Sequence, residues 1–392
     1  MPERAFFRIL LAALVALAAV LAGAGVTAAS PFSTPQATAK VECVAFDTTG
    51  TTCEVVGVVY AITQIGSRTY IGGRFTTVAG APRANVAAIR TDGTLDPTWN
   101  PSTDGIVYAL AASSDGSKVF LGGTFSTVGG TARGRLAAVT AATGALVPGW
   151  TTTVNSNAVR ALVADPADRL YVGGSFGRIG GRTIARLGAV SQATGVVDTG
   201  FVPNPNGTVR ALALSDDGSR LYAGGGFNAV GGVARPGAAE LTPTSGAATS
   251  FAPTDGGVVI AMDVAPSGRL YFGTTSNRTW AYDPADGGTP QYRVRTGGDV
   301  QAILATDDEV YIGGHFDTIP EHKLNRLALA SFLPATGTPT AWNPGANGAF
   351  GVWALALTRT PLSPGEPTAL SAGGDFTRVA SLARRGYTRF LF

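Results

Sequence analysis

VYALAASSDGSKVFLGGTFSTVGGTARGRLAAVTAATGALVPGW (107–150) reads as four β-strands joined by turns. VYALAA is a short run of β-type residues. SSDGS follows as a hairpin turn, because Asp-Gly tolerates the positive φ angles such turns need. KVFLGG is a second strand, Phe125 to Arg133 a glycine-rich loop, and RLAAVT a third strand. AATG is another tight turn, and ALVPGW a fourth strand. Four strands in succession make one antiparallel unit. Such a unit cannot bury both faces alone, so neighbours must stack on it.

The neighbours are copies. The phrase VFLGGTFSTVGG (119–130) recurs as TYIGGRFTTVAG (69–80), LYVGGSFGRIGG (170–181), LYAGGGFNAVGG (221–232), VYIGGHFDTI (310–319) and LSAGGDFTRV (370–379), with a worn copy at LYFGTTSN (270–277). The first strand carries V-x-A-L or a close variant: VYAI, VYAL, VRAL, VRAL, VIAM, VQAI and VWAL, starting at residues 59, 107, 159, 209, 259, 300 and 352. The fifth unit is shortened and is also the one with the degraded glycine phrase. Seven units predict an all-β fold, a seven-bladed β-propeller of four-stranded antiparallel blades starting near 58, 107, 159, 209, 259, 300 and 352. From Val352 to Phe392 only three strands are legible. Residues 40–57 precede the first V-x-A-L and are expected to supply the missing outer strand, so that the last blade is completed by an N-terminal strand. The domain then spans 40–392, behind a short linker at 30–39.

Composition agrees with a large core under a weakly charged surface: 45% of residues are hydrophobic and 14% charged, which excludes an ordinary disordered chain. The net charge of +3 is small and spread along the chain, giving no argument for nucleic acid or an anionic membrane surface. Arg4 and Arg8 precede an apolar run from Ile9 to Leu21, and small residues follow. Residues 1–29 therefore read as a signal peptide, with Val26-Thr27-Ala28 or Thr27-Ala28-Ala29 at the cleavage point and an uncleaved anchor as the alternative. The apolar run is short for a span and no stop-transfer cluster follows it. The mature chain is expected to be secreted or held at the cell surface, with no membrane span, and monomeric. Cys43 and Cys53, the two cysteines, are expected to pair across the turn DTTG (47–50) in an oxidising compartment. With no histidine nearby they make no zinc site.

DGSKVFLGGTFSTVGGTARGRLAAV followed by TG-x-L…W/F-x-P resembles the bacterial delta-60 repeat, a propeller repeat family of unassigned function. GTLDPTWNP (93–101) matches the end of that unit. The resemblance covers about residues 58–392, and the fifth unit departs from it by lacking the glycine pair and the phenylalanine. The phrase is also similar to repeats in fungal cell-surface polarity proteins. The resemblance implies a secreted or surface propeller, often part of a larger architecture, and transfers no catalytic residue.

Constant positions read as packing. Phe75, Phe125, Phe176, Phe227, Phe316 and Phe376 share one repeat position, and Trp99, Trp150, Phe201, Phe251 and Trp342 end their units. The glycine pairs permit close backbone approach or a bulge. Arg83, Arg135, Arg186, Arg235, Arg326 and Arg385 recur near the third strand. They are expected to donate to loop carbonyls in their own blades, with anion binding as the sharper alternative.

Motifs for catalysis are sparse. Gly173-Gly174-Ser175-Phe176-Gly177 fits G-x-S-x-G, but that motif needs a following helix and a histidine partner. The two histidines, His315 and His322, lie in HFDTIPEH (315–322), interrupted by Pro320, and read as a surface loop. Asp92, Asp115 and Asp217 precede glycines in turns. Asp104, Asp255 and Asp299 lie in connections into first strands, where two acids near each other would suit a glycosidase or lyase. No cofactor is expected; DPADGG (283–288) has the composition of a calcium loop but reads as an ordinary turn.

Variation points elsewhere. The x of V-x-A-L is Tyr60, Tyr108, Arg160, Arg210, Ile260, Gln301 and Trp353 in a constant frame. The connections NPSTDG (100–105), VNSNA (154–158), PNPNGT (203–208) and NPGANGAFG (343–351) beside it are rich in Asn, Ser, Asp and Gly. Tyr60, Tyr108, Arg160, Arg210, Gln301 and Trp353 are the expected ligand-binding residues, suited to a sugar or peptide by stacking plus hydrogen bonds. The expected function is a non-catalytic binding or scaffold module for an extracellular glycan or protein. The rival is an extracellular carbohydrate-active enzyme with paired carboxylates, and a purely structural surface protein is the third reading.

Overall fold

The structure, a computed structural model, describes residues 54–253, 257–357 and 369–391. No α-helix occurs among them; two single 3-10 turns, Pro284–Asp286 and Pro320–His322, interrupt an otherwise all-β chain. The strands group into seven antiparallel sheets of three or four strands, in sequence order, plus short two-stranded ribbons. Residues 40–53, including both cysteines and most of the expected closing strand, lie outside the described residues. Val55–Gly57 form the start of the first strand, Val55–Ile65, paired with Arg68–Val78.

The second sheet shows how the sequence makes each unit. Val107–Ala112 pairs with Lys118–Gly123, which pairs with Leu136–Thr140. Asp115 holds the intervening turn by accepting from the Ser117 backbone N–H at 2.9 Å, and Gly116 takes a φ of 67° that a side chain would resist. The stretch expected to be a loop instead contains a ribbon, Thr127–Val128 against Thr131–Ala132. Gly129 and Gly130, at φ 55° and 77°, supply its two-residue turn, because the strands' own twist favours left-handed turn residues there.

The fourth strand departs from expectation. Leu146 makes a single bridge to Val139, and the same is true of Leu95, Val197, Ala248 and Pro339 in their sheets. After Val147 the chain carries Pro148, which has no N–H to donate, and Gly149 at φ 77°, so the ladder cannot continue. Among the described residues, only the shortened fifth unit has a sheet of four full strands in sequence, Val259–Val264, Leu270–Thr274, Arg278–Tyr282 and Pro290–Arg295.

Each glycine pair does two jobs. A β-carbon on the first glycine would press on the valine that opens the next unit's first strand: Gly72 on Val107 at 2.7 Å, Gly122 on Val159 at 2.5 Å, Gly313 on Val352 at 2.6 Å, and Gly373 on Val59 at 2.5 Å. A β-carbon on the second glycine would collide with backbone of its own sheet, as Gly123 with the Ile106 carbonyl oxygen. The first strands pack side by side in order, and Val352–Leu357 packs beside Val55–Ile65. Between sheets, the repeated phenylalanines are all buried. The unit-ending aromatics meet second-strand rings edge-on, as Tyr70 with Trp99 at 5.0 Å and Tyr311 with Trp342 at 5.2 Å. Trp99 Nε1 then donates across to the Thr140 carbonyl of the next sheet at 3.0 Å.

Candidate functional site

The x residue of V-x-A-L is a bulge residue in all seven copies. In each first strand the register against the second strand skips at that position, between Val59 and Ala61, Val107 and Ala109, Val159 and Ala161, and onward to Val352 and Ala354. The skips at Val209/Ala211, Val259/Ala261 and Val300/Ala302 complete the set. A bulge leaves one residue out of the ladder and re-aims its side chain. Here the flanking valine and alanine are buried while x is not.

All seven x residues line one cavity of about 450 Å³, a volume in the range of small-ligand sites. Its wall is divided by chemistry. Tyr60 is the centre of an aromatic arc, its ring centroid 5.4 Å from Tyr108 and 5.3 Å from Trp353, the latter edge-on. Arg160 extends the arc, with Cζ 4.9 Å from the Tyr108 centroid, a cation–π contact that orients the guanidinium. Arg210 follows from the next unit. Burial and the neighbouring Arg160 charge both hold the Arg210 pKa below its ordinary value. Ile260 is the apolar interval, and Gln301 completes the circuit. The Tyr60 hydroxyl is pushed up by burial, with Tyr108 and Asp375 adding to the shift and Arg74 opposing it. Gln301 Oε1 and Trp353 Nε1 are buried without a hydrogen-bond partner among the described residues, an arrangement that costs stability unless something answers it.

Thr275 and Asp299 also line the cavity and were not picked out as ligand-binding residues from sequence. Thr275 occupies the variable third position of the G-G-x-F phrase, so the signal was present: that position lies next to the bulge. Asp299 is the one carboxylate among the described lining residues. The paired-acid arrangement would need another; Asp255 lies outside the described residues, and Asp104 is engaged elsewhere.

One residue of each polar connection is engaged within the fold. Asp104 accepts from the backbone N–H groups of Ser126 and Thr127 at 2.7 and 2.8 Å. Asn155 does the same for Gly177 and Arg178, Asn206 for Asn228 and Ala229, and Asn347 for Thr377 and Arg378. Each connection thus ties down the next unit's G-G-x-F turn. The recurring arginines separate into more than one position. Arg83, Arg235 and Arg326 donate to carbonyls of their own unit, namely Asp96 and Pro97, Thr249, and Thr340. Arg135 and Arg186 sit at left-handed φ of 65° and 68° and reach the connection carbonyls of Asn157 and Pro205.

The other motifs resolve locally. Ser175 follows the strand Arg169–Gly174 with no helix after it, so the nucleophile-elbow context is missing. His315 ends the strand Val310–His315 and His322 lies in the 3-10 turn Pro320–His322. In DPADGG, Asp283 caps the turn through the Ala285 N–H and Asp286 accepts from Gln291. No group of three or more His, Cys, Asp or Glu suited to a metal ion occurs among the described residues.

A family model described as a domain of unknown function (DUF5122) β-propeller matches residues 68–98. Among solved structures the chain is similar to U3-55K, at 11% identity over 86% of this chain and 95% of that one, with a TM-score of 0.57. It is equally similar to the WD40 β-propeller domain of Doa1, at 10% identity over 86% of this chain and 94% of that one, TM-score 0.57. The fold is a β-propeller. At such identity the likeness reaches the propeller's architecture and not its ligand. No curated protein matches the sequence. No helix among the described residues is long and apolar enough to cross a membrane.

Proposed function

We propose that this chain is an exported, monomeric, seven-bladed propeller that binds an extracellular glycan or protein without transforming it, acting as a recognition or scaffold module. One observation carries the reading. The position that varies within a constant frame is the bulge residue of each first strand, and all seven bulge residues line one cavity. Tyr60, Tyr108, Arg160, Arg210, Gln301 and Trp353 are its contact residues.

The seven-blade count rests on the seven sheets and on the side-by-side packing of Val352–Leu357 with Val55–Ile65. On this reading the missing outer strand of the last blade, beside Tyr387–Leu391, comes from the part of the 40–57 segment ahead of Val55. Support comes from the Val55 N–H, which donates to the Arg385 carbonyl at 2.9 Å just before that strand. The Cys43–Cys53 link would staple this closure, and the leader at 1–29 would deliver the chain to a compartment where the link forms. The delta-60 repeat is the family assignment that best accounts for the recurring phrase.

The test is a screen of the purified protein on glycan and cell-wall arrays beside Tyr108→Ala and Trp353→Ala. Binding by the parent chain, reduced about tenfold or more in both variants, is the expected result. Equal binding by all three proteins would remove the site from this cavity. Elution at the monomer mass in size-exclusion chromatography checks the oligomeric state.

A further inference from the structure

Two neighbouring units each put an arginine at the bulge, and both guanidinium groups line the cavity. Elsewhere in the propeller, Arg83, Arg135, Arg186, Arg235 and Arg326 are answered by carbonyls, and Arg68 and Arg169 by Asp96 and Asp198 at 2.9 Å. Arg160 and Arg210 have neither a hydrogen bond nor an ion pair with any described residue; Arg160 has the Tyr108 ring, and Arg210 faces the Arg160 charge. Two like charges on one wall repel each other, and an anion between them relieves that repulsion. Asp299 reduces the described lining to a net charge of +1, which suits a ligand with one negative charge better than one with several.

The rest of the wall restricts what carries that charge. Three rings from adjacent sheets, Trp353, Tyr60 and Tyr108, touch in series up to Arg160, Trp353 edge-on to Tyr60 and Tyr108 tilted against it, so that their faces offer apolar walls at different angles. Such walls favour a flat, rigid C–H face over a flexible backbone. Thr275 and Gln301, on the same wall, offer groups that hydrogen-bond to hydroxyls.

Deepening the glycan-binding reading above, on which it rests, we propose that the cavity recognises a sugar residue bearing a single negative charge: its anionic group lies between Arg160 and Arg210, and its ring stacks on the Tyr60–Tyr108–Trp353 arc. A planar guanidinium holds a carboxylate or sulfate ester through paired N–H donors, so geometry as well as charge selects the anion.

Titration of the full chain by calorimetry tests this with four probes. These are an oligogalacturonate, its fully methyl-esterified form, a sulfated galactan oligomer and poly-aspartate. The oligogalacturonate or the sulfated oligomer should bind about tenfold or more tightly than the ester, with affinity falling as salt is raised. Arg160→Gln and Arg210→Gln should each abolish that preference, with far-UV circular dichroism and thermal unfolding of each variant showing that it folds. Which of the two acidic oligomers binds identifies the anion. The proposal is overturned if ester and acid bind equally, if the Arg→Gln variants keep the preference, if poly-aspartate binds as well as the acidic sugars, or if none of the acidic sugars binds. Tyr108-dependent binding of a neutral glycan would overturn the charge assignment while leaving the cavity as the binding site; absence of any glycan binding would remove both.

Discussion

Gly373 receives Val59: a β-carbon on that glycine would lie 2.5 Å from the valine Cγ1. The two residues are far apart in the chain, one in the last sheet and one in the first. The same relationship links Gly72 to Val107 and Gly122 to Val159 between sheets consecutive in sequence. The contact between the two ends therefore reuses the geometry that joins internal neighbours. What the glycine contributes is room for the valine at close sheet-to-sheet approach.

Gly373→Ala should destabilise the protein by about 1–3 kcal/mol through overpacking. Val59→Ala in the same chain should recover part of that loss, since the colliding atom is the end of a side chain. Gly374→Ala should cost more and resist rescue, because its β-carbon would strike the Gly351 carbonyl oxygen, which is backbone. Thermal unfolding of the three variants and the double mutant distinguishes these cases; an unchanged Tm for Gly374→Ala would refute the account of the second glycine.

Asp104→Ala should lower stability by about 1 kcal/mol, as it leaves the Ser126 and Thr127 N–H groups without their acceptor. Asp104→Asn should be nearly silent at neutral pH, because Asn155, Asn206 and Asn347 do the same work in other units. Urea denaturation at pH 7 measures both.

Asp217 gives a dependence on acid. Hydrogen bonds from Ser215, and from the Ser219 backbone and hydroxyl, hold its pKa at about 2. An unfolded carboxyl titrates near 3.9. The folded value is the lower one, so the contribution is present in full above about pH 4 and disappears as pH falls toward about 2. Asp217→Asn should flatten the fall in Tm over that interval and leave the neutral-pH slope alone. A parallel pair of melting curves across pH 2–5 would show otherwise.

Arg83→Lys should destabilise by about 1–3 kcal/mol despite keeping the charge. Arg83 is 7% exposed, and its guanidinium donates through one nitrogen to the Pro82 carbonyl and through the other to those of Asp96 and Pro97. A lysine ammonium is a point donor and cannot reach both sides. Equilibrium unfolding in denaturant is the check, with Tyr108-dependent binding as a control that the cavity is intact.

Much of this was legible beforehand because it depends on local chemistry repeated many times. V-x-A-L marked the first strands, Asp-Gly the hairpins, and the buried phenylalanines the contacts between sheets. Two local features misled. The glycine-rich stretch after each G-G-x-F looked like a loop, yet Gly129-Gly130 closes a ribbon; its two left-handed residues are a turn signal as much as a flexibility signal. ALVPGW looked like a strand, yet Pro148 and Gly149 stop it after one bridge. The polar connections looked like a binding surface, and nothing local indicated that Asp104 or Asn155 would reach a backbone more than twenty residues on.

The repeat, the strand order within a unit and the positions free to vary can be read from the residues alone, because they follow from short-range periodicity and turn chemistry. What the free positions do depends on packing between distant strands. A bulge turns each x residue out of its ladder, and the packing of seven first strands brings those residues, up to about three hundred positions apart in the chain, onto one cavity. Spacing along a chain carries no information about which side chains meet between packed sheets. That is settled by the valines seated over glycines that set the distance and angle between one sheet and the next.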